Sequence, residues 1–342
     1  MRNFEVVVIG GGHAGVEAAS ASSRMGAKTV LITMKIETIG EMSCNPAIGG
    51  LGKGHLVREI DALDGIMAKA IDNSGIQFRM LNRSRGPAVH GPRSQADRKL
   101  YKKAITKLLE SNRNLTIIEG MVKDFKIEKG AIKEIILQND ISIKAKSVIL
   151  TTGTFLGGVI HIGNQRIPAG RMGDEPSNDL SKKIRELKLP IGRLKTGTPP
   201  RLLKSSIDWS NVEMQSADNN PIPFSYMTKK ICVQQIECGI TRTNTDTHKI
   251  ISDNISSSPV FSGSIQGSGP RYCPSIEDKV NRFFEKDSHQ IFLEPEGLDS
   301  PLVYPNGIST SLPKKIQDEF LKTIPGLESA IIKQHGYAIE YD

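Results

Sequence analysis

The sequence has few cysteines and few aromatic residues, with four Cys and one Trp among 342 residues. Four cysteines in a chain of this length do not make a disulfide framework, and a reducing compartment fits best. Five residues separate Cys232 from Cys238, and no second pair or histidine cluster completes a zinc site. The cysteine content therefore predicts neither structural disulfides nor a metal centre.

Long apolar runs are also missing. No segment approaches the roughly 20 apolar residues that span a bilayer, and the N-terminus enters a predicted strand without the pattern of a signal peptide. We expect a cytoplasmic protein that makes no membrane contact. The formal charge of +8 favours anionic partners, without separating nucleic acid from a nucleotide cofactor, and it also serves solubility.

The most informative segment present is a glycine turn after an apolar strand. Residues 4–9 read as a buried strand, and Gly10, Gly12 and Gly15 follow at the spacing G-x-G-x-x-G. Helix 16–25 and strand 29–33 complete a βαβ unit of the expected length. Such a turn seats a dinucleotide pyrophosphate on the N-terminus of a helix. The alternative, a structural turn in an unrelated α/β protein, fits this context less well.

The second strand lacks the acid that usually follows it in NAD-binding folds. That acid holds a ribose hydroxyl about 20 residues past the glycines, whereas this sequence reads Thr33-Met34-Lys35. Residues 115–144 then alternate as short strands, and a buried strand ends in Thr152-Gly153. A βαβ unit, a meander and a Thr-Gly strand end occur in this order in FAD enzymes with two dinucleotide-binding segments. The order favours FAD over NAD.

Two further stretches carry candidate chemistry. Residues 43–55 hold Cys44, Lys53 and five glycines and prolines, which predicts a ligand-binding loop rather than a plain connection. Residues 79–103 are rich in arginine and lysine, which suits either phosphate binding or a solvated surface, and the sequence leaves both open. Helices are predicted over 56–72, with Leu56 and Leu63 facing inward, and over 94–110, with Leu100 and Leu108 facing inward.

The length predicts two domains. Residues 200–274 are richer in Ser, Asn and Thr, so we expect 1–199 and 275–342 to form a discontinuous nucleotide-binding domain around an inserted one. Ser177 is a candidate cap of a helix that runs to residue 187. Ser275 is a candidate cap of a second helix, and Cys273 lies just before it, where a helix N-terminus favours a thiolate. The other possibility for Cys273 is a small buried hydrophobe.

These residues together resemble the glucose-inhibited division protein A family. The resemblance rests on segments 10–15, 43–55, 75–81, 192–201, 269–279, 291–297 and 304–313, and it extends over essentially the whole chain. It implies an α/β fold: a Rossmann-like FAD-binding domain of the two-dinucleotide flavoprotein type with an inserted α+β domain. Family members extend further, with a second glycine-rich FAD segment and a helical C-terminal region, and this sequence has neither.

The resemblance also implies a function and its residues. The family is the flavoprotein subunit that adds a 5-carboxymethylaminomethyl group to tRNA wobble uridine-34, using methylene-tetrahydrofolate, NADH, a partner GTPase and a homodimeric assembly. Its candidate catalytic thiols match Cys44 and Cys273. The matching positions for FAD and NADH are Gly10, Gly11, Gly12, His13, Ala14, Gly15, Val122, Ser177, Gly269, Pro270, Arg271, Tyr272, Pro274, Ser275 and Lys279.

Two other functions remain open on the sequence. One is the folate- and FAD-dependent tRNA uridine-54 methyltransferase, whose shorter chains suit this length. That enzyme lacks the insertion at 199–269 and the string at 271–275. The other is a non-catalytic nucleotide-binding fragment that dimerises or binds RNA weakly. The roles of the two cysteines and the amine donor, ammonium or glycine, are also left open.

Overall fold

The computed structural model describes residues 2–265, 267 and 274–342. The described residues form eight α-helices: α1 (His13–Arg24), α2 (Lys53–Ala62), α3 (Met67–Asp72), α4 (Arg98–Glu110), α5 (Asn178–Glu186), α6 (Thr245–Asp253), α7 (Ile276–Arg282) and α8 (Lys314–Leu321). They also form nineteen strands: β1 (Arg2–Ile9), β2 (Thr29–Thr33), β3 (Ala47–Gly49), β4 (Gly75–Leu81), β5 (Gly91–Ala96), β6 (Leu115–Glu119), β7 (Val122–Glu128), β8 (Ala131–Leu137), β9 (Ser142–Leu150), β10 (Val159–Ile162), β11 (Gln165–Pro168), β12 (Leu194–Thr198), β13 (Arg201–Leu203), β14 (Glu213–Gln215), β15 (Cys238–Arg242), β16 (Gln290–Pro295), β17 (Leu302–Asn306), β18 (Ile332–Gln334) and β19 (Tyr337–Tyr341).

The first sheet confirms the predicted α/β class. Its order is β6-β2-β1-β9-β8-β7, and the first four strands are parallel. Apolar residues fill both faces because alternate side chains point to opposite sides. Val8 and Leu31 pack against α1, whereas Val7 and Val30 pack on the other face against the meander. Parallel strands end at one edge, so the glycine turn after β1 lies beside the ends of β2, β6 and β9.

The predicted meander is present with one change. Strands β7 and β8 pair antiparallel, and β8 pairs with β9. The two strands expected at 141–144 and 146–152 are one strand, β9, which also pairs in parallel with β1 from Ile143 to Leu150. One strand thus joins the meander to the nucleotide-binding sheet.

The helix expected over 56–72 is two helices. Asp64 takes a left-handed conformation (φ 64°), and the Gly65 N–H bonds back to the Ile60 carbonyl, which ends the first helix. The carboxylate of Glu17 accepts hydrogen bonds from the N–H groups of Ile66 and Met67 and so caps the second. Leu56 and Leu63 are exposed rather than inward-facing, so that part of the prediction is wrong.

The predicted helix over 94–110 begins four residues later, because 91–96 form β5. Asp97 caps it by accepting the Leu100 N–H. Its most buried residues are Tyr101, Ile105 and Leu109, one position along from the predicted face. Strands β3, β5 and β4 form a small antiparallel sheet, so the expected loop 43–55 includes one strand and the start of α2.

A second six-stranded sheet is antiparallel, with the order β14-β15-β16-β17-β13-β18. Helices α6, α7 and α8 cover one face, where Ile291, Leu293 and Val303 are fully buried. The alternating side chains Glu294 and Tyr304 therefore point to the opposite face, where Glu294 contacts Arg93 of β5 and Tyr304 contacts Cys44. No described helix combines the length and apolar character needed to cross a bilayer.

Strand pairing divides the chain into units at other residues than the composition does. Strands β16, β17 and β18 lie beyond residue 274, yet they share a sheet with β13, β14 and β15. The division at residues 199 and 274 remains a prediction, and on the pairing we propose that the inserted unit extends to about residue 334. Strand β19 then returns to a four-stranded sheet with the order β11-β10-β19-β12.

Candidate functional site

A cavity of about 820 Å³ opens at the carboxyl edge of the parallel strands. This volume lies in the range of small-molecule and cofactor sites. Segments that follow β1, β2, β6 and β9 supply its floor, and the 41–47 loop and residues 171–177 supply its walls. Strand β1 stands between β2 and β9, the position at which ligands bind in open parallel sheets.

The glycine turn has the conformation that a diphosphate seat requires. Gly10 has φ 110°, and a Cβ there would lie 2.2 Å from the Thr151 carbonyl oxygen. A Cβ on Gly15 would lie 1.8 Å from the Gly10 oxygen, because helix and strand touch. A Cβ on Gly12 meets no described atom within 4 Å. Gly12 caps α1 without a side chain, so the first-turn N–H groups remain available to an anion.

The predicted cofactor residues divide into three groups. Gly10, Gly11, Gly12, His13, Val122 and Ser177 line the cavity. Ala14 and Gly15 belong to α1, while Pro274, Ser275 and Lys279 lie away from the cavity at the start of α7. Gly269, Pro270, Arg271, Tyr272 and Cys273 lie outside the described residues. Ser177 precedes α5 as predicted but makes no side-chain cap, whereas Ser275 forms a capping box with Asp278.

His13 is neutral within the turn. Burial and the charge of Lys53 lower its pKa to about 4. Its Nδ1 lies 3.3 Å from the hydroxyl of Tyr101, a fully buried residue of α4 whose pKa burial raises. The uncharged imidazole therefore links the turn to α4 and adds no charge beside the phosphate seat.

A cation occupies the place of the missing acid. Lys35 follows β2, and its Nζ lies 2.7 Å from Asp174 Oδ1. Arg171 contacts the same carboxylate at 2.6 Å. Burial raises the pKa of Asp174, but hydrogen bonds from Lys35 and Arg171 together outweigh it, so the net pKa is lowered. The carboxylate that faces this side of the cavity thus comes from residues 171–174 and not from the strand end.

Cys44 lines the same cavity as the glycine turn. Its Sγ lies 3.1 Å from Tyr304 Oη and 3.4 Å from the Gly197 carbonyl oxygen. Arg98 donates to the Cys44 carbonyl oxygen. Residues of α4, β12 and β17 therefore hold this half-buried cysteine at the wall of the cavity.

Most of the cationic side chains in the basic stretch at 79–103 form ion pairs with carboxylates. Arg93 pairs with Glu294, Arg98 with Glu296, and Arg83 with Asp218. Glu296 also accepts from Arg201 at 2.7 Å. Tyr304, Arg201 and these glutamates were not predicted from the sequence as site residues. Two acids, Glu294 and Glu296, lie at the end of an otherwise apolar strand. This pattern could have predicted buried ion pairs there, since buried carboxylates require paired cations.

Lys53 differs from these arginines. It is open to the cavity and has no carboxylate within ion-pair distance among the described residues. Surrounding protein desolvates the ammonium and Arg93 repels it, and both lower its pKa. Asn45 Oδ1 is buried beside it without a hydrogen-bond partner among the described residues. A free cation and an unpaired acceptor fit a ligand that carries negative charge and N–H groups, so the residues fit a dinucleotide cofactor.

Comparison with known proteins places the chain in a family. The sequence model described as Glucose inhibited division protein A matches residues 5–342. The tRNA uridine 5-carboxymethylaminomethyl modification enzyme MnmG of Granulibacter bethesdensis is 57% identical over 342 residues, which cover 99% of this chain and 54% of that protein. Two structures of Aquifex aeolicus GidA match 99% of this chain, with TM-scores of 0.92 and 0.94 and identities of 48% and 50%.

These matches cover 55% and 58% of the Aquifex chains, so this chain spans about half the length of the relatives it matches. The match runs through both sheets and through every segment that lines the cavity. The chain belongs to the glucose-inhibited division protein A family.

Proposed function

We propose that the cavity binds FAD and that the chain takes part in modification of tRNA wobble uridine. Members of the family are FAD-dependent enzymes, and one relative is named for tRNA uridine 5-carboxymethylaminomethyl modification. The observation that carries the proposal is that one cavity joins the glycine turn to Cys44. A seat for a dinucleotide and a thiol in the same space is what flavin-dependent chemistry on a uracil ring requires.

In this function the glycine turn and the N-terminus of α1 hold the pyrophosphate. The flavin supplies oxidation and reduction when it is bound. Lys53 and Asn45 line the cavity together with Cys44, and we assign them to the isoalloxazine end of the cofactor. His13 is neutral and contacts Tyr101 of α4, so it adds no charge to the glycine turn.

Cys44 supplies a nucleophile. Uracil C5 becomes nucleophilic only after something adds at C6, and a thiolate adds there reversibly. Cys273 is the second thiol of the proposal on the sequence resemblance alone, because it lies outside the described residues. On the same ground, the proposal includes NADH as reductant and methylene-tetrahydrofolate as one-carbon donor. It also includes a GTPase partner, a homodimer and a cytoplasmic location.

The first test is the visible spectrum of the purified chain with FAD. We expect a yellow protein that bleaches when NADH is added. A protein that stays colourless after incubation with FAD contradicts the proposed cofactor. Gly15→Ala serves as the matched control, because its Cβ closes the space between helix and strand and abolishes the seat.

The second test identifies the nucleoside. Deletion of the gene is expected to remove the modified uridine at position 34 of tRNA and to leave position 54 unchanged, as measured by mass spectrometry of nucleoside digests. Loss at position 54 supports the methyltransferase instead. Cys273→Ser is expected to retain FAD and to stop modification in a strain that carries the variant, and unchanged modification removes Cys273 from the mechanism.

A further inference from the structure

The thiol of Cys44 has a phenol as its nearest side-chain partner. Tyr304 Oη lies 3.1 Å from Sγ, and Tyr304 is only 2% exposed. Cys44 precedes β3 beside the nucleotide-binding sheet, whereas Tyr304 belongs to β17 of the second sheet. Among the described residues, the Gly197 carbonyl oxygen, at 3.4 Å, is the other hydrogen-bond partner of the sulfur. The contact is therefore made by elements that are far apart in the chain.

An ion cluster fixes both members of this pair. The Arg201 guanidinium lies 4.6 Å from the centre of the Tyr304 ring, and its Nε lies 2.7 Å from Glu296. Arg98 contacts the same Glu296 carboxylate at 3.0 Å and donates to the Cys44 carbonyl oxygen. Glu296 binds both arginines. One carboxylate therefore fixes the position of the Cys44 backbone, through Arg98, and that of the Tyr304 ring, through Arg201.

The two hydrogen bonds respond differently to the loss of the thiol proton. A protonated sulfur donates to Gly197 O and accepts from Tyr304 Oη–H. A thiolate has no hydrogen for the carbonyl, and only the tyrosine hydroxyl remains as a favourable partner. Hydrogen bonds to a charged acceptor are about twice as strong as neutral ones. The phenol thus favours the thiolate, and the carbonyl favours the thiol.

We propose that Tyr304 is a positioning residue for Cys44, donating its hydroxyl hydrogen to the thiolate and aiming the sulfur into the cavity. This role rests on the proposed function of Cys44 as nucleophile. It assigns a task to a residue of the inserted unit. The second six-stranded sheet then supplies a hydrogen-bond donor to the reactive thiol.

The test is the alkylation rate of Cys44 by iodoacetamide in the full chain, followed by peptide mass spectrometry at pH 7.5. Tyr304→Phe removes the hydroxyl that holds the sulfur in place, and with it a hydrogen bond to the negatively charged nucleophile. It is therefore expected to slow the alkylation of Cys44 about threefold.

Three references separate this role from a structural one. Cys232 is exposed and reports any general change in alkylation within the same sample. Tyr341→Phe removes a half-buried tyrosine hydroxyl of β19 whose pKa is raised by burial, and it is expected to leave the Cys44 rate unchanged. Replacement of Tyr304 by 3-fluorotyrosine strengthens the donor without altering the fold, and it is expected to accelerate Cys44.

A wild-type rate in Tyr304→Phe overturns the proposal, and so does a 3-fluorotyrosine protein that is slower than wild type. The fluorinated protein decides the matter if Tyr304→Phe fails to fold. FAD absorbance is recorded on the same samples. Failure to bind FAD with the expected alkylation pattern contradicts the proposed function alone, whereas FAD binding with an unchanged pattern contradicts the role of Tyr304 alone.

Discussion

The ammonium of Lys35 and the carboxylate of Asp174 lie 2.7 Å apart, although 139 residues separate them. Lys35 follows the second parallel strand, β2, and Asp174 follows the β10–β11 hairpin. The pair joins two walls of the cavity at the side where the ribose-binding acid of NAD enzymes usually stands. Arg171 adds a second cation to the same carboxylate.

Asp174→Asn is expected to destabilise the protein by roughly 1 kcal/mol at pH 7, since the pair is partly exposed. The lowered pKa of Asp174 means that its stabilisation is fully present above the ordinary pKa of 3.8 and is lost as the pH falls through the lower folded-state value. Urea unfolding of both proteins from pH 7 to pH 3 measures this. The difference should be constant down to about pH 5 and shrink below pH 4.

Asp140→Asn is the control for that experiment. Asp140 also pairs with a lysine, Lys123, but its side chain is 83% exposed. We expect no measurable change in unfolding at any pH. An equal effect of both substitutions would mean that the cavity pair is only a surface ion pair.

Two glycines of the turn should respond to alanine in different ways. Gly15→Ala places a Cβ 1.8 Å from a backbone oxygen, so we expect destabilisation of about 1–3 kcal/mol together with loss of FAD binding. Gly12 has φ −75°, which alanine adopts without strain, and its Cβ meets no described atom. Gly12→Ala should therefore keep the thermal midpoint without FAD and weaken FAD binding selectively.

Thermal unfolding without FAD and titration with FAD give the two quantities. A Gly12→Ala protein with unchanged affinity would show that the pyrophosphate lies elsewhere. A Gly15→Ala protein with a wild-type midpoint would show that helix α1 moves freely away from β1.

Glu296 should be the most sensitive carboxylate in the region between the sheets. It neutralises Arg98 and Arg201, and all three side chains are less than 15% exposed. Removal of one partner leaves buried charge uncompensated, so Glu296→Gln is expected to cost about 3 kcal/mol or more in chemical unfolding. Asp253→Asn breaks the exposed pair with Lys249 and should have no measurable effect. Similar results for both would refute the buried cluster.

Lys53 should raise the midpoint potential of bound FAD. Reduction adds electrons to the flavin, and a nearby cation without a carboxylate partner favours the added negative charge. Lys53→Met is expected to lower the midpoint potential of bound FAD by roughly 30 mV, the equivalent of about 1.4 kcal/mol for two electrons. Lys53→Arg keeps the charge and should remain near wild type. Potentiometric titration with a reference dye measures both, and equal potentials in all three proteins exclude Lys53 from the flavin site.

The sequence predicted those parts of the structure that depend on neighbouring residues. The βαβ unit follows from an apolar run, a glycine spacing and small helical residues, all within 33 positions. The Ser275 capping box was readable because its partner, Asp278, is three residues away. The segment 43–55 was predicted to bind a ligand from its unusual glycine and cysteine content; part of it is regular structure, several of its residues line the cavity, and ligand binding stays a prediction.

Long-range partners were not readable. The partners of Arg93 and Arg98 lie about 200 residues downstream, so their charges suited phosphate as well as glutamate. The break between α2 and α3 depends on Glu17, which caps the second helix from 50 residues away. The inward face of α4 was misplaced by one position, because Tyr101 packs on His13 across the turn. Each error has a tertiary contact as its cause.

Strand β19 has a consequence for synthesis on the ribosome. It pairs with β10 on one side and β12 on the other, so an inner strand of that sheet is made after the three other strands. At about 5–20 residues per second, β10 waits roughly 10–35 s for its neighbour. During that time the edge of the β10–β11 hairpin is exposed as a template for wrong pairing. The wall of the cavity that holds Asp174 is thus completed only after the inserted unit has been translated.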